Sequence, residues 1–122
     1  MRRFILHYLF TGFFIIVLSS CKHETDVAMN PIVSFTNEIK PILNNNCTQS
    51  GCHGSENFTK IQLLTYDDVI KNGGVGDGNA LGTKLYKRIT GKGADIMPPS
   101  SPLNDLDIKR ILLWIQQGAK NN

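Results

Sequence analysis

Apolar positions in this chain fall into one unbroken run at the start and then into helically spaced sets separated by polar breaks. The first run, Phe4 to Leu18, follows Met1-Arg2-Arg3 and contains no acidic residue. Further on, Ser34 can cap a helix, and Phe35, Ile39, Ile42 and Leu43 follow at the spacing of one helical face. Pro41 is expected to kink or interrupt that helix, and Asn44-Asn45-Asn46 to end it. Ile61 to Leu64 reads as a short apolar link. Thr65 with Asp68 three positions on then predicts a helix start running through Val69 and Ile70 to Asn72, with acidic residues where the helix dipole favours them. Leu81, Leu85 and Ile89 stand at i, i+4 and i+8 and predict a third helix over 81–89. The last helix is the clearest. Asn104 or Asp105 can cap it, Asp107 lies in its first turn, and Ile108, Ile111, Leu112 and Ile115 trace one apolar stripe before Gly118 supplies a stop, with Trp114 flanking the stripe. No strand pattern of convincing length occurs, so the expected fold class is all-α, a small bundle of about 3–5 helices.

The N-terminal run reads as a secretory signal, with a charged start and an apolar core shorter than the about 20 residues a spanning helix needs. Leu18-Ser19-Ser20-Cys21 looks like a bacterial lipobox, which makes Cys21 the lipidated first residue after cleavage. Lys22 to Val33 is polar, carries Pro31 and lacks helical periodicity, as a tether does. The expected organisation is a lipoprotein signal peptide over 1–20, a lipidated tether over 21–33 and a folded domain over 34–120. Lys22-His23-Glu24 beside the lipid resembles signals that send some bacterial lipoproteins to the outer surface. The expected location is therefore the bacterial cell envelope, lipid-anchored on the periplasmic or cell-surface side. Charge takes on a different meaning in this light. The whole chain carries a formal net charge of +3, but removing Met1–Ser20 leaves 102 of the 122 residues with eleven Lys or Arg against ten Asp or Glu. That near-neutral remainder offers no argument for nucleic acid as a partner. A domain of this size has one modest core and gains stability from a large bound apolar cofactor.

The chemistry is concentrated in Cys47-Thr48-Gln49-Ser50-Gly51-Cys52-His53. Haem attachment ordinarily uses two cysteines two residues apart with a histidine directly after the second; here the histidine is in place and the spacer has four residues. Two thiols can add across the two vinyl groups of a haem, and a histidine beside the second thioether reaches the iron as its proximal ligand. A four-residue spacer must bulge to return both sulfurs to one porphyrin edge. Gly51 can supply φ > 0 for that bulge, and Gly54 frees the chain after the histidine.

At these residues the sequence resembles the c-type cytochromes, in which C-x4-C-H is a less common variant of the motif. Ile96-Met97-Pro98-Pro99 and the helical segment Ile108–Ala119 look like the distal half of a small monohaem member, and the resemblance spans roughly Phe35 to Ala119. It implies a helical bundle wrapped around one covalently attached haem c, with Cys47 and Cys52 as thioether residues, His53 as proximal ligand and Met97-Pro98 as the distal methionine motif. It also implies that the last helix crosses the first beside the haem, near Trp114. Elimination among thioether and imidazole groups reaches the same sixth ligand. His23 and Met29 lie on the tether, whereas Met97 sits between Ile96 and two prolines, where positioning its sulfur costs little entropy. His/Met ligation raises the reduction potential relative to bis-histidine and leaves no open iron site. The implied role is one-electron transfer by a membrane-anchored carrier, not an enzyme, exchanging electrons with redox protein partners.

Other readings of the same residues differ in kind. An exported cysteine pair without a cofactor forms a disulfide by default, which gives a non-haem lipoprotein interaction domain stapled by Cys47–Cys52. A zinc site falls short of ligands, because no second cysteine or histidine pair accompanies the three. A Cys-His hydrolase asks adjacent residues for a nucleophile-to-base geometry they rarely reach. Gly73 to Asn79 is glycine-rich, but it lacks a preceding strand, the G-x-G-x-x-G spacing and a Walker lysine, and so reads as a loop. Lys84, Lys87, Arg88 and Lys92 form a basic group that reads as ordinary solvated surface, with steering of an acidic partner as the alternative.

Overall fold

The computed structural model describes residues 31–56, 61–76 and 78–122. The signal, Cys21, His23 and Met29 lie outside the described residues. Among those that are described there is no strand, and the fold is all-α, in four α-helices: α1 (Lys40–Asn46), α2 (Tyr66–Gly73), α3 (Lys84–Thr90) and α4 (Asp105–Gln116). No helix among them is long and apolar enough to cross a membrane.

Pro41 shapes the first helix without breaking it. The chain enters through one widened π-helical turn, Phe35–Ile39, whose i→i+5 bonds run from Ile39 N–H to the Ser34 carbonyl and from Lys40 N–H to that of Phe35. Proline has no N–H to donate and its ring crowds the carbonyl four residues back; a wider turn relieves both problems, and α1 then continues past Pro41 in its first turn. Ser34 caps the entry, accepting from Asn37 N–H. At the other end Asn46, Thr48 and Gln49 donate to carbonyls of the last turns. Asn46 Nδ2 donates to the Ile42 carbonyl, Thr48 Oγ1 to that of Asn44 and Gln49 Nε2 to that of Asn45.

The second helix forms as its sequence predicts, with a capping box between Thr65 and Asp68 and Gly74 in the left-handed conformation after its end. The third does not. Ala80–Gly82 is a separate 3-10 turn capped by Asn79, and Thr83, extended at φ −61°, ψ 146°, caps a new helix by accepting from Tyr86 N–H. This break takes Leu81 off the face of Leu85 and Ile89 and leaves it 57% exposed. Two capping side chains four residues apart, Asn79 and Thr83, outweigh the i, i+4, i+8 pattern.

On α4 the buried positions are Ile111, Trp114 and Ile115, so Trp114 is the centre of the apolar face and not its flank, while Ile108 and Leu112 are only half-buried. Its indole packs against Phe35 with ring centroids 5.5 Å apart, and Tyr66 meets Phe35 edge-on at 5.2 Å. This aromatic trio joins the π turn, α2 and α4 in one core that also holds Ile39, Leu43, Val69 and Ile89.

The residues after α4 fold back over that trio. Trp114 Nε1 donates to the Lys120 carbonyl and Tyr66 Oη to that of Ala119. Ser34 Oγ and Thr36 N–H donate to the Asn122 carbonyl, and Phe35 N–H to Asn122 Oδ1. Val33 is buried and donates its N–H to Gln117 Oε1, and Gln117 Nε2 donates in turn to the Pro31 carbonyl. The packed unit therefore extends past 34–120 at both ends, taking in Pro31–Val33 and Asn121–Asn122.

Candidate functional site

The loop after α1 coils tightly enough to bring both cysteines to one pocket. Cys47 N–H donates to the Leu43 carbonyl and continues the helical path, Cys52 N–H donates to the Gln49 carbonyl, and His53 N–H reaches back across six residues to the Cys47 carbonyl at 2.9 Å. Gly51 takes φ +80° at the turn, the conformation that the four-residue spacer requires. Gly54 serves differently from expectation. Its φ is not positive, but a Cβ there would run into the carbonyl oxygen of Thr48, so glycine permits the close approach of two backbone segments.

Cys47, Cys52, His53 and Met97 line one pocket, together with Asn46, Gly51, Pro98 and Pro99; its volume is about 170 Å³ and it opens to solvent. Residues 44 or more positions apart in sequence thus meet at one place. Met97 is delivered by the segment after α3. Its N–H donates to the Arg88 carbonyl at 2.8 Å, Ile96 lies against Gly91, and Arg88 Nη1 reaches the Asp95 carbonyl at 3.3 Å and its carboxylate at 3.4 Å. The Met97–Pro98 peptide is cis. Arg88 is thereby engaged in holding this segment; Lys84, Lys87 and Lys92 are exposed, and Lys92 lies over the Tyr86 ring at 5.6 Å.

The two thiols are unpaired and unlike each other: Cys47 is 7% exposed and part of the core, whereas Cys52 is exposed. Burial, with the neighbouring Cys52 adding to it, pushes the Cys47 thiol up to about 11.

The half-buried imidazole of His53 has a defined tautomer. Its Nδ1 lies 3.0 Å from the Ile61 carbonyl oxygen, which can only accept, so Nδ1 carries a proton, and in the neutral ring the lone pair is on Nε2. A histidine with one nitrogen engaged in this way is oriented as metal-ligating histidines are. Among the described residues no three His, Cys, Asp or Glu side chains group as a metal cluster would require; the pocket lining carries one imidazole, one thioether and two thiols.

Sequence reasoning named the four side chains Cys47, Cys52, His53 and Met97 that meet in this pocket and missed their supports. The Ile61 carbonyl has no sequence signature, because any residue could supply it. Asn46, Pro98 and Pro99 could have been marked as pocket walls from their places beside Cys47 and Met97.

A scan of protein-family models finds no family that matches this chain. No curated protein matches it, and no solved structure does.

Proposed function

We propose that the protein is a one-electron carrier that holds one haem c through Cys47 and Cys52, with His53 and Met97 as axial ligands. The observation that carries this reading is the meeting of His53, its Nε2 lone pair free, with Met97 and both cysteines in one pocket. The donor set suits the group. Two thiols can form thioethers, an imidazole nitrogen and a thioether sulfur are the axial pair of many electron-transfer haems, and proline rings form the adjoining wall.

A haem bound here supplies an Fe(II)/Fe(III) couple. The chain's part is to fix the ligands. The Ile61 carbonyl holds His53 through Nδ1–H and raises the basicity of Nε2. The Arg88 carbonyl, the Asp95–Arg88 contact and two prolines restrain Met97, so that little entropy is lost when its sulfur is engaged. At about 170 Å³ the pocket is smaller than the about 300–1,000 Å³ that engulfs a drug-sized ligand. Were a haem held here, walls of this extent would leave part of it in contact with solvent, where electrons could pass to a partner protein. Lipidation at Cys21 would keep the carrier at a bacterial membrane, on the periplasmic or cell-surface side.

The test is the visible spectrum of protein made in a host that matures c-type cytochromes. A haem that stays with the chain after denaturation, a sharp reduced band and the weak iron-to-sulfur band when oxidised are expected. Met97→Ala should lose the iron-to-sulfur band, and Cys47→Ala should retain haem through a single thioether. Wild-type protein that carries no haem, with two thiols appearing only after reduction, would refute this reading in favour of a disulfide-stapled interaction domain.

A further inference from the structure

The imidazole that lines the pocket is held through a chain of contacts that begins on a different helix. Ile61–Leu63 runs beside His53–Gly54, and three hydrogen bonds join the two segments. His53 Nδ1–H donates to the Ile61 carbonyl at 3.0 Å, Leu63 N–H to the His53 carbonyl at 3.0 Å, and Gln62 Nε2 to the Gly54 carbonyl at 3.4 Å. From the opposite side, Asn72 Nδ2 donates to the Gln62 carbonyl at 2.8 Å. Asn72 lies in the last turn of α2, half-buried and outside the pocket. The cap of α2 makes no use of its amide, since the Gly74 N–H already serves the Ile70 carbonyl.

We propose that Asn72 is a positioning residue for His53: by pinning Gln62 it sets where the adjacent Ile61 carbonyl stands, and so which ring nitrogen of His53 carries the proton. An extended segment of three residues has little packing to fix it; only Leu63 is fully buried, and Ile61 and Gln62 are half-buried. A side-chain amide from a capped helix supplies the missing constraint, and a peptide unit anchored at the Gln62 carbonyl leaves the preceding carbonyl little freedom to rotate. For the tautomer, the inference stands on these contacts alone. Its consequence for a reduction potential rests on the proposed haem ligation.

The experiment has two readouts. In haem-free protein, nitrogen NMR of the imidazole should show His53 protonated at Nδ1 in the wild type. Asn72→Ala should shift population toward the Nε2–H form, while Asn72→Gln, which keeps an amide donor, should restore the wild-type pattern. Lys71→Ala, on the exposed neighbour, should leave it unchanged. In haem-loaded protein, Asn72→Ala should move the midpoint potential upward, because a looser Nδ1–H···O contact makes Nε2 a poorer donor to oxidised iron. A wild-type His53 protonated at Nε2 would overturn the proposal, as would an Asn72→Ala variant with native circular dichroism and an unaltered tautomer. Should Asn72→Ala not fold, failure of Asn72→Gln to hold the Nδ1–H form would also overturn it. Wild-type protein that takes up no haem would sink the electron-carrier reading, while loss of the Nδ1–H tautomer in Asn72→Ala and its return in Asn72→Gln would still support the role of Asn72.

Discussion

Cys47 and Cys52 are the same residue type five positions apart, yet their surroundings make them different reagents. The thiolate is the reactive form of cysteine. With its thiol pushed up to about 11, Cys47 has about one thiolate per thousand molecules at pH 8, and burial restricts access besides. In haem-free folded protein a small alkylating agent should therefore modify Cys52 first and Cys47 far more slowly. Denaturant should bring the two rates together. Mass spectrometry of timed, quenched samples checks this, and equal rates in the folded protein would contradict the burial of Cys47. Both cysteines are legible in the sequence, and so is the need for a glycine between them. Their inequality is not, because it arises from Cys47 sitting at the end of a helix whose other side is the core. His53 is similar: its presence is written in the motif, but its tautomer is written in a backbone carbonyl eight residues on.

Individual helices show where sequence pattern succeeds and where it is overruled. Helix α2 forms as read because its signals agree: a Thr65/Asp68 capping box, acidic residues in the first turn and a glycine stop. The Thr65 hydroxyl, and after it the Thr65 backbone N–H, hold the Asp68 carboxyl below its ordinary range. A carboxylate whose folded pKa is depressed stabilises the fold above its unfolded value of about 3.9, and that contribution is lost as pH falls through the lower folded value. Asp68→Asn should therefore lower the melting temperature above about pH 4 and converge on the wild type in stronger acid. The effect is small because Asp68 is only half-buried and water screens the contact. Thermal melts across pH 2–7 measure it. Over 81–89 the apolar repeat is overruled by Thr83, a strong capping type that stands in its middle and starts the helix anew. On α4 the apolar stripe takes in the buried Ile111 and Ile115, but its centre lies at Trp114 and not toward Ile108 and Leu112, because an indole buries more surface than any aliphatic neighbour. Trp114 is wholly buried between Phe35 and Tyr66, so Trp114→Ala should cost about 3–5 kcal/mol in chemical denaturation.

At the scale of the molecule, the tail after α4 is a working part of the fold. Among the described residues no buried side-chain nitrogen or oxygen lacks a hydrogen-bond partner, and the tail supplies the acceptors for Trp114 and Tyr66. Ending the chain at Gln116 would leave both donors without those acceptors, at about 1–3 kcal/mol for each that stays buried. It would also release Ser34, Phe35 and Thr36. Such a truncation should melt well below the full chain and expose Cys47 to alkylation at a rate approaching that of Cys52. Nothing in the hydrophobic pattern signals this clasp, since its contacts are made by polar side chains and bare carbonyls at sequence separations of 84–88.

Those separations also order events in time. The segment around Ser34 is synthesised early and its partners late, with the Cys47–His53 loop emerging in between. At about 5–20 residues per second, the chain continues for several seconds after Cys52 has been made before Asn122 exists to close the clasp. Throughout that interval the first helix has no late partner to dock against, and contacts between distant residues close slowly even once both are present. A newborn chain therefore presents both thiols in the open before its own fold withdraws one of them.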